Sequence, residues 1–566
     1  MEGENPEIMR KDGEIMELYA IDALGRKMPE SVPAHREDRL VGMFYFLWLG
    51  EHGRHKPYDV SKILAADPEA GHKPDSDVWG GVGTYHHWGE PFYGYYYSDD
   101  EWVIRRHMKL LTQAGIDFLF FDTTNAIIYE KNVKIVMKVL SEYTDRGLAA
   151  PKVMFYTNTA SGETVQKIYD SIYKVGYCEN TWFCMDGKPV IIAVPEECSP
   201  ETRAFFNIKL SQWPNEADKA GGWPWMDFVK PQRAFPNLDG VPEVINVSIA
   251  QHPQLRFGDS AMYGEGGNCG RSYHDGREDI HEGSYLRGYN FAEQFERALE
   301  ADVPVTLVTG WNEWIAGRWP GCEERPIMFV DCANYEYSRD IEMMRGGYGD
   351  NYYLTLCEYI GKLKGRGTLP VLQSGDSLTF PGYPDGNLNR EHDGYGSVYM
   401  NMSGRHSIRA VSVENSSDTV KITVTTADPV DQSPAIEAES FLEQMFAQFD
   451  LPDLPDRDGS FLWVFAETEG GMFLLNEGFD GENATLMSVM EKNEKYGFTP
   501  AGQISCTANG CALTMEIPKS ALGLTPGGIL KLRVVDSRDP VESTLDFYDH
   551  GDCLPLGRVW YGCTVQ

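Results

Sequence analysis

From about Val41 to Gly365 the chain repeats one rhythm, a short apolar run followed by a polar or helical stretch. The runs are VGMFYFLW (41–48), DFLFFD (117–122), KVMFYT (152–157), KPVIIAV (188–194), VINVSIA (244–250) and PVTLVTG (304–310). Near-continuous hydrophobicity of this kind predicts strands covered on both faces, as in a parallel sheet. Between the runs lie amphipathic segments. In EWVIRRHMKLLTQAG, Ile104, Met108 and Leu111 fall on one helical stripe and Gly115 follows as a stop. Strands alternating with helices give the α/β class. Six clear strands, with WMDFV (225–229) as a weaker one, predict a (β/α)8 barrel of the TIM type over residues 1–365, with an N-terminal extension. An open doubly wound sheet is the rival, but no GxGxxG follows the first strand. After Gly365 helical periodicity fades and alternating runs appear: SIRAVSVEN, VKITVTT, LWVFAE, GCALTMEIP and ILKLRVVD. Each is bounded by turn residues, which predicts a β-sandwich over residues 366–566. One acidic, helix-prone stretch, AIEAESFLEQMFAQF (435–449), interrupts it.

A length of 566 residues favours two or three domains. The formal charge of −35 repels a phosphate backbone or an anionic membrane surface, so nucleic acid and membrane are not expected partners and a neutral substrate is. No apolar run reaches the roughly 18 residues that a membrane helix needs. The 30 Tyr and 13 Trp supply flat faces with polar tips, on which sugar rings stack. Eleven cysteines without a CxxC pair suggest free thiols, and MEGENPEIMRKDGEIM lacks an apolar signal core. Together these predict a cytoplasmic protein; a secreted form whose signal has been removed would carry the same sequence. His52, His55, His72, His86 and His87 crowd one region, but HxxH in a loop lacks the spacing of a metal site, so no metal or other cofactor is expected.

Barrel chemistry sits where strands end at the carboxyl face. The residues following the runs are Trp48 with Glu51 and His52; Asp122 and Asn125; Asn158; Glu196 and Glu197; Gln251 and His252; and Trp311, Asn312, Glu313 and Trp314. Glycosidic cleavage needs two carboxyl groups, one protonated and one ionised. Glu313 is the strongest candidate, because it follows the last run and sits between two indoles in GWNEW, apolar walls that would raise its pKa. Capping a helix or pairing with Arg318 is the structural alternative. Its partner is sought among Asp122, Glu90 and Glu265. Asp122 ends the second strand in FFDTTN, and Glu90 lies among Trp88, Phe92, Tyr93 and Tyr95 after His86 and His87. Glu265 shares the Gly-rich loop MYGEGGNCGRSYHDGRED with Arg271 and His274, which reads as a hydroxyl-binding or lid loop.

TGWNEWIAGRW resembles the NEW segment of the endo-α-mannosidase family and related barrels, including the fungal α-glucanases called mutanases. In that family two glutamates three apart act in turn: the first on the sugar 2-hydroxyl, forming an anhydro-sugar intermediate, the second as acid/base. The first falls on Glu313; the second falls on Ala316, so the acid must come from elsewhere. HHWGEP, FFDTTN, GRSYH and GWNEW together resemble a group of uncharacterised, glycosidase-like bacterial proteins. The C-terminal part, ending LDFYDHGDCLPLGRVWYG, resembles the sandwich of family-nine-type carbohydrate-binding modules. The expectation is a glycoside hydrolase acting on a neutral glycan, α-linked by the resemblance. Its rivals are a non-catalytic glycan-binding protein on a degenerate barrel, which Ala316 favours, and a glycan lyase or transferase.

Overall fold

The computed structural model describes residues 7–9, 18–28, 32–252, 262–263, 268–279, 281–329, 334–365, 369–430 and 462–566. The chain divides into two compact units, Asp22–Gly367 with Glu391–Tyr399, and Met1–Ile21 with Thr368–Arg390 and Met400–Gln566.

The first unit is a nearly closed, parallel-rich barrel. Its strands are β1 Leu40–Tyr45, β2 Phe118–Thr123, β3 Lys152–Thr157, β4 Lys188–Ala193 and β5 Asn207–Gln212. They continue as β6 Gly222–Pro224, β7 Ala234–Pro236, β8 Pro242–Ser248 and β9 Val305–Thr309. The order around the ring is β6-β5-β4-β3-β2-β1-β9-β8-β7, and only the β7–β8 pair is antiparallel. Gly221 next to β6 donates to Pro236 O of β7 at 2.7 Å, where the two ends of the ring meet.

All six apolar runs are strands of this ring. They are continuous in hydrophobicity because one face fills the barrel and the other is covered by helices. The predicted stripe forms α1 Glu101–Ala114, which is capped by the Asp100 carboxylate on Val103 N–H and ends at Gly115 in the left-handed region. Further helices are α2 Glu130–Asp145, α3 Ser161–Ile168, α4 Pro200–Phe205, α5 Tyr289–Ala301 and α6 Asn351–Lys364. No described helix follows β5 or β6.

The expected strand at 225–229 is irregular backbone instead. The buried Asp227 carboxylate accepts from Val229 N–H and Arg233 N–H and pairs with the Arg233 guanidinium at 2.6 Å, which folds the segment back on itself. The ring is completed by β5, β6 and β7, which the apolar runs did not reveal. Inside the barrel, alternate residues interlock: Phe44, Phe46, Phe118, Phe120, Met154, Tyr156, Val190, Ile192, Val305 and Leu307. Phe44 and Phe120 stack with centroids 4.8 Å apart.

The second unit is built on a large, mostly antiparallel sheet that holds all five of the alternating runs. In its strands Ile408–Asn415 and Thr419–Thr426, Val411, Val413, Val420, Ile422 and Val424 are buried and their neighbours are not. The helix-prone stretch 435–449 lies outside the described residues. The ten described cysteines are free thiols.

Candidate active site

Period-two alternation decides which side chains reach the barrel mouth. Phe118 and Phe120 fill the interior, so Asp122 continues the same inward row; Met154 and Tyr156 likewise lead to Asn158, and Phe44 and Phe46 lead to Trp48. Trp48, Trp213 and Phe228 lie half-buried on top of the aromatic core, and the Trp48 indole N–H makes no hydrogen bond. Asp122 is 7% exposed, with one oxygen accepting from Thr124 N–H at 3.0 Å. Beside it, Asn125 donates to the Tyr129 hydroxyl at 2.8 Å, and that hydroxyl lies 2.9 Å from His52 Nε2. Burial, with the Asp122 charge acting in the same direction, holds the Tyr129 phenol above its ordinary pKa. Burial also lowers the pKa of His52. A neutral His52 accepts from a protonated Tyr129, and its ring stacks on Tyr85 at 4.8 Å.

The GWNEW segment follows β9 on the other side of β1. Trp311 N–H donates to Phe44 O at 2.8 Å, and both ends of the Asn312 amide bond the Phe46 backbone, at 2.9 and 3.1 Å. Asn312 is therefore a clamp on β1. Trp311 packs edge-on against His107 and Tyr353, and Trp314 stacks on Trp88 at 4.4 Å. Beside the Glu313 carboxylate stands Arg339, with Nη2 3.0 Å from Oε2. The Arg339 guanidinium also lies 5.4 Å from the Trp225 ring, so it spans the mouth from the end of β9 to the segment after β6. Arg318, the pairing partner considered from sequence, instead bonds Gly80 O and Pro74 O.

The segment 338–344 returns alongside GWNEW and holds it. The Asp340 carboxylate accepts from Glu313 N–H and, at 2.8 Å, from Trp88 Nε1. Burial pushes the Asp340 pKa up to about 7, against the opposing charges of Arg271 and Arg339. Glu342, fully buried, takes hydrogen bonds from Tyr96 (2.6 Å) and Trp314 (2.5 Å) and lies 2.9 Å from His107 Nε2. These residues carried no motif, and the only signal in the sequence is the charged triplet Arg339, Asp340 and Glu342 set among apolar neighbours.

Other candidates take different positions. Glu90 forms a partly exposed ion pair with Lys62. His86 is buried among Trp79, Tyr58 and Phe329, and burial lowers its pKa to about 4. His87 is buried against Tyr95 and Tyr395. Arg271 sits in a cage of Trp88, Tyr348 and Tyr352 and donates to Asp340 O at 2.8 Å, which makes it a pin for the returning segment and not a lid residue. Gln251 donates to Asp227 O, His252 packs edge-on against Tyr337, and His274 packs on Tyr289 at 4.4 Å. Glu265 lies outside the described residues. Ala316 pairs with His86 in the short ladder between strands Ile315–Pro320 and Tyr85–His87, so no carboxylate occupies that position.

No sequence family and no curated protein matches the chain. Among solved structures it is similar to the GH99 endo-alpha-mannosidase from Bacteroides thetaiotaomicron. That structure, in complex with bis-tris-propane, has 14% identity and a TM-score of 0.34, over 59% of this chain and 99% of that one. A second structure of that enzyme gives 14% identity and 0.34 over 58% and 98% of the two chains. A glycoside hydrolase-like protein gives 14% and 0.34 over 59% and 96%.

Proposed function

We propose that the barrel hydrolyses glycosidic bonds of a neutral glycan, α-linked by the sequence resemblance, with Glu313 and Asp122 as the paired carboxyl groups. The observation that carries this reading is the placement of the two on either side of β1, with the half-buried Trp48 between them. Two inter-strand spacings separate their backbones by about 10 Å, room for one sugar ring and two side chains. Glu313, paired with a guanidinium, serves as the carboxylate that accepts a proton, from water or from a sugar hydroxyl. Asp122 donates its proton to the leaving glycosidic oxygen as the bond to the anomeric carbon breaks, and water supplies the new hydroxyl. Arg339 positions Glu313, while Trp48 offers a ring face to the sugar. The large sheet of the second unit is read as a carbohydrate-binding-type sandwich.

The test is a screen of the full-length protein against nitrophenyl glycosides and α-linked oligosaccharides, followed by substitution. Glu313→Gln is expected to lower kcat by about a hundredfold or more, and to lower the melting temperature as well because the buried Arg339 loses its counter-charge, so kcat is compared at a temperature where the variant is folded. Asp122→Asn should also act mainly on kcat. Near-normal turnover in Glu313→Gln would overturn the assignment. Saturable glycan binding without any cleavage would instead select the glycan-binding reading that Ala316 favours. An unsaturated, ultraviolet-absorbing product would select a lyase.

A further inference from the structure

The second unit contains one short helical turn, Asp546–Asp549, which is extended by His550 N–H donating to Asp546 O at 2.8 Å. Phe547 and Tyr548 are fully buried, so theirs is the side of the turn that packs. Residues i, i+3 and i+4 share the other side, which brings Asp546, Asp549 and His550 together there. All three are half-buried, and one ligand atom of each lies within 4.8 Å of the others. His550 Nε2 stands 3.7 Å from Asp549 Oδ1 and 3.9 Å from Asp546 Oδ1. Both distances are too long for hydrogen bonds. The other ring nitrogen, Nδ1, is buried without a hydrogen-bond partner.

The surroundings fix these groups in place. Asp546 Oδ2 accepts from Glu542 N–H at 2.7 Å and from Ser543 N–H at 2.8 Å, so that Oδ1 faces the imidazole. The Asn401 amide donates to Asp549 O at 2.8 Å, and the Cys553 thiol donates to His550 O at 3.0 Å. Bonds of this kind around ligand residues orient a metal site. The two carboxylates repel each other in a chain of net charge −35, and a shared cation removes that repulsion.

We propose that Asp546, Asp549 and His550 bind one divalent cation of the zinc and cobalt class. Nitrogen and oxygen ligands about 2.0–2.2 Å from zinc stand about 3.3–3.6 Å apart across a tetrahedral angle. The spacings of 3.7 and 3.9 Å exceed that slightly, a gap that small side-chain rotations close. The donor set selects the ion. Calcium and magnesium take six or more oxygen ligands, and copper(I) takes sulfur. One imidazole with two carboxylates suits zinc or cobalt, and water completes the tetrahedron on the exposed side of the turn. The three ligands come from five consecutive residues, so little chain has to be ordered to assemble them. The site uses no residue of the barrel and stands whether or not the barrel is a hydrolase.

The experiment is a calorimetric titration of the full-length protein, freed of metal with a chelator and dialysed, with zinc chloride. Zinc is expected to bind saturably, more tightly than calcium or magnesium, and to raise the melting temperature. Loss of a group that merely supports a metal ligand costs about 10–100-fold in affinity, so His550→Ala and Asp549→Asn should each weaken binding about tenfold or more. The exposed thiols of Cys184 and Cys322 are the other seat for zinc, and binding there would survive both substitutions. Cobalt(II) added to wild type should shift or broaden the His550 ring resonances, a readout that needs no variant if a substitution impairs folding. Absence of zinc binding, affinity unchanged in both variants, cobalt effects that spare His550, or tighter binding of calcium or magnesium would each overturn the proposal.

Discussion

Arg339 and Asp340 are neighbours in sequence, yet they hold the GWNEW segment in different ways. Arg339 neutralises the Glu313 side chain, while Asp340 grips the Glu313 backbone and the Trp88 indole from beneath. Burial lifts the Asp340 carboxyl from 3.8 to about 7, more than Arg271 and Arg339 offset. In the unfolded chain this group is ionised above about pH 4; in the fold it stays protonated up to about pH 7. Proton uptake on folding stabilises the protein at low pH, so this contribution is full below about pH 4 and is lost as pH rises to about 7. The stability of wild type relative to Asp340→Asn should therefore fall across that window and level off above it. Urea denaturation of both proteins at a series of pH values measures this, and a difference independent of pH would refute it.

Tyr156 ties together the part of the ring that lacks outer helices. From β3 it reaches across the interior, its hydroxyl 3.0 Å from Gln212 O and 3.1 Å from Trp223 O, and it also accepts from Gln212 N–H. Tyr156→Phe leaves buried backbone groups unpaired and should cost about 1–3 kcal/mol of stability. Hydrogen exchange should quicken in β5 and β6 before the other strands; uniform exchange around the ring would contradict this role. The same region shows why the sequence was only partly legible. Strands packed between core and helices must be apolar throughout, and those runs could be read directly. In β5, Asn207 to Leu210 are only partly buried, and β6 is three residues long, so neither leaves such a run. Asp122 and Glu313 could be singled out from the sequence because one ends a readable strand and the other follows one. Arg339, Asp340 and Glu342 were not, because a loop brings them back to the site through tertiary packing, which no local period encodes.

The barrel unit is not made from one continuous stretch of chain. Residues Glu391–Tyr399, from far downstream, belong to it. The Tyr395 hydroxyl accepts from Gly50 N–H at 2.6 Å, the Tyr399 hydroxyl from Tyr95 N–H at 2.7 Å, and Tyr395 N–H donates to Tyr95 O at 2.8 Å. A protein ending at residue 367 loses all three bonds. At about 1 kcal/mol each, its barrel should be about 3 kcal/mol less stable than the same barrel in the full chain. Urea titration followed by the fluorescence of the barrel tryptophans measures the difference, and equal stability would show that 391–399 is dispensable. The ring itself is mechanically uneven. Its end strands β6 and β7 share no ladder and meet at the Gly221–Pro236 bond. A hoop under load yields at its weakest joint, so tension or pressure on this one is borne first between 222–224 and 234–236. The mouth would then part on the side of Trp225, opposite β1, before the wall bearing Asp122 and Glu313 gives way.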